Sequence, residues 1–135
     1  MVQHWRSEVF NVIVCASSAA AAELISGVTV HSAFKLNPKS GAVMRSTLCD
    51  AAYSDHFMTI FKCDIIIIDE ISMLTSGALG GVNSASTFAK NMGTALHGRS
   101  FGGCSVIVVG DLFQLPAVES AYREQQVYLA EVWGE

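Results

Sequence analysis

Two short runs hold the residue types best suited to chemistry. The first is Asp69-Glu70, which follows the unbroken apolar stretch Ile65-Ile66-Ile67-Ile68. A continuous run of this kind fits a strand buried on both faces of a parallel sheet. In open α/β sheets, ligands bind beyond the carboxyl ends of such strands, where a nucleotide and its magnesium ion sit. Successive residues near a strand end point in different directions, so the two acids can divide the work. Asp69 is the candidate hard-oxygen ligand for Mg²⁺, and Glu70 the candidate base that orients and deprotonates a water attacking a γ-phosphate. The same pair also suits a plain acidic turn before a helix, because carboxylates are favoured at helix N-termini.

The second run is Val106-Ile107-Val108-Val109-Gly110-Asp111-Leu112-Phe113-Gln114-Leu115-Pro116. It reads as another buried strand, broken by glycine and followed by an acid and an amide. A glutamine just beyond a strand can hydrogen-bond a phosphate oxygen or the attacking water, which makes Gln114 a candidate sensor and Asp111 a supporting acid for a nucleotide. The competing reading is an ordinary Gly-Asp turn with Gln114 on the surface. A third group, the polar Ser17, Ser18, His31 and Ser32 with the aromatic Phe34, follows the first apolar run. By residue type alone, its serines cap a helix and its histidine satisfies a local hydrogen bond.

These residues need elements to hold them. Residues 9–15 are β-rich and apolar and predict a buried strand, with the small residues Ala16-Ser17-Ser18 leading into an alanine-rich helix over 19–25 that Gly27 stops. Residues 28–30 predict a short extended stretch and 35–41 a loop containing Pro38 and Gly41. The pattern from 45 to 61 is mixed and allows a helix; residues 63–69 predict the second strong strand. Residues 75–81 predict a glycine-containing loop. Val82, Ala85, Ala89, Met92 and Leu96 then recur at helical spacing, and after a turn at 100–103 a third strand covers 105–109. Strands alternating with helices predict an α/β fold with a parallel sheet.

Composition sets the outer bounds. The 135 residues suffice for one domain, and 51% hydrophobic against 15% charged residues excludes intrinsic disorder. Net charge is −4, with basic residues scattered, so no self-sufficient nucleic-acid patch is visible. No apolar run approaches the roughly 20 residues of a membrane-spanning helix, and residues 1–8 have no signal-peptide character. Cys15, Cys49, Cys63 and Cys104 show no C-x-x-C spacing and are expected to be buried free thiols, which suits a reducing compartment.

The motifs together resemble a known family. Asp69-Glu70-Ile71-Ser72-Met73 and Gly110-Asp111-Leu112-Phe113-Gln114-Leu115-Pro116 look like the Walker B and third motifs of superfamily-one helicases. Ser100-Phe101-Gly102-Gly103 narrows the resemblance to the PIF-one-like (petite integration frequency) family and its Helitron relatives. Residues 14–22 and 28–34 resemble that family's DNA-contacting motif Ia and the His-Ser segment after it. The chain departs from the family pattern at Ser100 and Ala117, where prolines are usual, and at Ser18-Ala19, where Thr-Gly is usual.

The resemblance implies a RecA-like P-loop NTPase sheet flanked by helices, with residues 1–135 forming an incomplete first motor domain. It implies ATP as substrate, Mg²⁺ as cofactor and single-stranded DNA as partner. Ser17 and Ser18 would contact phosphates, with His31, Ser32 and Phe34 nearby. It further implies 5′-to-3′ travel, work in repair, recombination and telomere maintenance, and an intracellular location, in a eukaryote the nucleus or mitochondrion. No Gly-Lys-[Ser/Thr] phosphate loop occurs, since none of Lys35, Lys39, Lys62 and Lys90 follows a glycine. The chain is therefore expected to begin after Walker A, to stop before the second motor domain, and to be inactive in isolation. A RecD-like ATPase, an AAA-type loader and a non-catalytic, transposon-derived binding module stay open as alternatives, as does the oligomeric state.

Overall fold

The computed structural model describes residues 9–44, 55–91, 98–111 and 113. Four parallel strands form one sheet: β1 (Val12–Ala16), β2 (Val28–Thr29), β3 (Ile65–Asp69) and β4 (Ser105–Val108), in the order β2-β1-β3-β4. Among the described residues, four α-helices accompany them: α1 (Ala19–Leu24), α2 (Val30–Phe34), α3 (Asp55–Lys62) and α4 (Ser76–Asn91). The α/β parallel architecture expected from the alternation of patterns is the one present.

The centre of the sheet follows directly from the sequence. Val12 pairs with Ile65 and Ala16 with Asp69, so β1 and β3 end level with each other. Ile66, Ile67 and Ile68 are buried, as a continuous apolar run requires when both faces are covered. The main core joins Ile13, Cys15, Phe34, Leu36, Ile60, Ile66, Ile68, Leu79 and Val82. On α4 the buried Ala78, Val82, Ala85 and Ala89 repeat at three and four residues, giving the helix one small-residue face against the sheet.

Three local expectations need correction. Residues 75–81 are not loop: α4 starts at Ser76 and runs through Gly77, Gly80 and Gly81. Packing overrides propensity there, because a Cβ on Gly81 would stand 2.1 Å from the Gly41 carbonyl oxygen and 2.9 Å from the Leu36 side chain. The helix thus tolerates glycine in order to let the 35–44 segment lie against it. Val30 begins α2 instead of extending β2, with Thr29 Oγ1 capping the helix by accepting the Ser32 N–H at 3.2 Å. And β4, expected to be buried, is only partly so; Val108 is 39% exposed. Among the described residues it pairs with β3 alone, so it forms an edge. The mixed segment resolves into α3 at Asp55–Lys62, where Phe57 and Phe61 stack with ring centroids 6.4 Å apart; residues 45–54, Met92 and Leu96 lie outside the described residues.

Candidate nucleotide and DNA site

The carboxyl ends of β1, β3 and β4 carry most of the predicted residues. Asp69 closes β3, and Glu70 follows in the left-handed conformation, φ 53° and ψ 47°, beginning a 3-10 turn at Ile71–Met73. Left-handed backbone is costly for a residue with a Cβ. Here it is held on both sides: Glu70 N–H donates to Asp69 Oδ1 at 2.9 Å, and Ile71 N–H donates to the Val109 carbonyl at 3.0 Å. The left-handed residue ends the extended backbone immediately after Asp69.

Gly110 explains how the second motif reaches this turn. A Cβ there would meet Ile71 N at 2.9 Å and Ile71 Cγ2 at 3.1 Å, so glycine lets the chain after β4 lie directly on the Glu70-Ile71 peptide. Asp111 is thereby delivered beside the acids. It is exposed, and its Oδ1 accepts the Phe113 N–H at 2.9 Å. Gln114, the predicted sensor, lies outside the described residues, as do Leu115 and Pro116.

On the other side, Ser17 N–H donates to the Asp69 carbonyl at 3.3 Å, joining the turn after β1 to the acid turn. Ser17 Oγ is buried and, among the described residues, has no hydrogen-bond partner; the same holds for Ser72 Oγ in the 3-10 turn. Buried hydroxyls are nearly always paired, so the acids are flanked by two donors with unmet capacity. Residue type alone had not singled out Ser72. Ser18 takes the capping role that its type suggests: its Oγ accepts the Ala21 N–H at 3.2 Å at the start of α1.

The His-Ser segment forms α2. Ser32 is exposed and His31 half-buried, and the Ser32 carbonyl lies 2.9 Å from His56 Nε2 on α3, a neighbour that sequence spacing did not reveal. Phe34 is the correction. It is 0% exposed and belongs to the core, so a contact with DNA is withdrawn for it. An aromatic after His-Ser is equally what a short helix needs to anchor itself to a sheet.

Asp69 and Glu70 suit a magnesium ion of the kind that keeps several waters and takes one or two carboxylates plus substrate phosphates. One bond to Oδ1 does not exhaust a carboxylate's acceptor capacity. Among the described residues there is no cluster of three or more His, Cys, Asp or Glu that could hold a metal by itself. No helix among those residues is long and apolar enough to cross a membrane. A groove of about 350 Å³ lined by Asn11, Val12, Asp55, Thr59 and Lys62 lies at the opposite, amino end of β1, away from the acids.

Comparison with known proteins points the same way. The profile described as PIF1-like helicase matches residues 1–134. The ATP-dependent DNA helicase Pif1 of Psychrobacter sp. is 28% identical over 135 residues, covering 98% of this chain and 20% of that protein. Pif1 of Bdellovibrio bacteriovorus is 35% identical over 121 residues, covering 89% and 26%. The crystal structure of Candida albicans Pif1 superposes with a TM-score of 0.80 at 25% identity, over 99% of this chain and 30% of that one. Bacteroides Pif1 bound to single-stranded DNA gives 0.74 at 26% identity, over 97% and 32%, and Bacteroides sp Pif1 in complex with ADP-AlF4 gives 0.70 at 28%, over 90% and 27%. The chain thus spans about a quarter of the length of these relatives.

Proposed function

Since the chain belongs to the PIF1-like helicase family, we propose that it forms part of the first RecA-like motor domain of an ATP-dependent DNA helicase. The whole protein couples ATP hydrolysis to translocation on single-stranded DNA and to duplex unwinding. One observation carries this reading: Asp69 and Glu70 leave a central buried strand at a turn locked from both sides, with Gly110-Asp111 laid across it.

Asp69 would hold the magnesium ion of the nucleotide, and that ion would neutralise phosphate charge when bound. Glu70 accepts a proton from the attacking water, and its left-handed backbone fixes the direction from which it does so. Asp111 supports the site from the β4 side, and Gln114 senses the γ-phosphate. Ser17 and Ser72 offer hydroxyl donors beside the acids. Ser17 lies one residue from Ser18 at the start of α1, so the segment that would grip a DNA phosphate is bonded to the strand that would hold the metal. Ser17, Ser18, His31 and Ser32 form the DNA-facing group. The family resemblance extends the proposal to 5′-to-3′ travel and to repair, recombination and telomere maintenance, with nuclear or mitochondrial residence in a eukaryote.

The test is a comparison of two polypeptides. A helicase-length protein bearing this segment is expected to hydrolyse ATP with magnesium and single-stranded DNA, and Glu70→Gln is expected to lower turnover by about 10²–10⁴-fold while retaining DNA binding. The 135-residue chain alone, without a Gly-Lys-[Ser/Thr] loop, is expected to show no turnover. Magnesium-dependent hydrolysis by the isolated chain that Glu70→Gln removes would sink this partition of the site.

A further inference from the structure

The amino ends of β3 and β4 hold a cluster that the motor reading does not use. Cys63 precedes β3 and Cys104 precedes β4, 41 positions apart in sequence. Ser105 pairs with Ile65, and Ser105 N–H donates to the Asp64 carbonyl at 2.9 Å, so the ladder continues one step past the strand start. Cys63 and Cys104 therefore sit one step out of register on neighbouring chains. With strands about 4.8 Å apart and a rise of about 3.3 Å per residue, their Cα atoms are roughly 6 Å apart, inside the range a disulfide spans.

Their surroundings are specific. Cys104 Sγ donates to the Cys63 carbonyl at 3.2 Å, and the Lys90 ammonium donates to the same oxygen, so thiol and cation converge on one atom. Cys63 Sγ in turn donates to the Ile65 carbonyl at 3.2 Å. Cys63 is 1% exposed, whereas Cys104 is partly open to solvent. The neighbouring Cys63 thiol lowers the Cys104 pKa, with Lys90 acting in the same direction against burial and the charge of Asp64. The Cys104 thiol and burial raise Cys63. One thiol is partly open to solvent with its pKa lowered; the other stands buried behind it with its pKa raised.

We propose that Cys104, with Cys63 behind it and Lys90 beside it, is a thiol modification site that takes small-molecule disulfides and closes to a Cys63–Cys104 bond. The Cys104 thiolate attacks one sulfur of a low-molecular-weight disulfide, breaking its S–S bond and releasing one small thiolate, which takes up a proton. Cys63 then loses its proton and attacks Cys104 Sγ in the mixed disulfide, expelling the second small thiol. Two protein thiols are oxidised and one small disulfide is reduced to two thiols. The closed bond ties the starts of β3 and β4 and encloses α4. Cys15, buried and far from any cation in this cluster, takes no part.

The test treats the intact chain, natively folded, with oxidised glutathione, quenches with acid, blocks remaining thiols and maps peptides by mass spectrometry. A peptide joining Cys63 to Cys104 is expected as the main oxidised product, and Cys63→Ala is expected to trap glutathione on Cys104. Lys90→Met, checked for native circular dichroism, is expected to slow alkylation of Cys104 at neutral pH about fivefold. The proposal fails if the wild-type chain yields no linked peptide, if glutathione settles first on Cys15 or Cys63, or if Lys90→Met leaves the alkylation rate unchanged.

Discussion

The two ends of β3 and β4 share the same ladder and differ in almost everything else. At the carboxyl end, a left-handed Glu70 and the close approach of Gly110 gather carboxylates and hydroxyls, all hard oxygen ligands. At the amino end, left-handed Phe101 and Gly102 gather two thiols and an ammonium. Both turns rest on backbone that is expensive in isolation, and both are held by specific bonds; at the amino end Phe101 N–H donates to Asn83 Oδ1 at 2.6 Å. The difference lies in where the sites look. The acid turn joins three strand ends, with an exposed Asp111 following it from β4. The thiol turn packs against α4, where a Cβ on Gly102 would meet Ser86 O at 2.7 Å. A parallel sheet separates incompatible chemistries simply by its polarity.

The largest effect that would sharpen this contrast is on turnover. In a helicase-length protein, Glu70→Gln is expected to lower kcat for ATP by about 10²–10⁴-fold, the usual worth of a positioned base, while Cys104→Ser leaves it unchanged. Steady-state phosphate release checks both, and equal losses would erase the division between the two ends. Next in size is Gly102→Ala, which adds a left-handed alanine and a steric clash at the amino end and is expected to cost roughly 2–5 kcal/mol. Urea unfolding of the chain measures it.

A sulfur at the acid end gives a third handle. Burial pushes the Cys15 thiol from 9.0 up to about 12, so below pH 9 both folded and unfolded chains carry the proton and nothing is lost. Between 9 and about 12 only the unfolded chain releases it. Stability therefore falls as pH rises through that window, by about 1.4 kcal/mol per pH unit from this group. Comparing urea midpoints of wild type and Cys15→Ala near pH 8 and about pH 10.5 isolates the contribution; parallel shifts in the two proteins would refute it. Smallest is Gly110→Ala, expected to cost about 1–3 kcal/mol and, in the longer protein, to impair turnover as well. If it lowered stability alone, the close approach would be structural only.

How much of this was readable beforehand depends on range. Ile65 to Asp69 announced a central strand because apolar continuity is a local property with one simple solution. Asp69, Glu70 and Asp111 could be placed for the same reason, each following its strand directly. Gly77 and Gly81 misled because the backbone they make room for, at Ser40 and Gly41, lies roughly 40 residues away in sequence. Phe34 misled because an aromatic in a motif serves equally as a contact or an anchor, and only burial decides. Ser72, His56 and the Cys63–Cys104 pair were invisible for lack of any spacing rule that joins them.

The partly open β4 has one more consequence. A strand with Val106, Ile107 and Val108 in succession, paired on one side among the described residues, offers backbone donors and acceptors to any extended chain that can lie alongside. Fully exposed Phe113 adds an apolar contact close by. Edges of this kind invite intermolecular strand addition. Self-association at this seam is the expected result of raising the concentration of the purified chain, and sedimentation across a concentration series measures it.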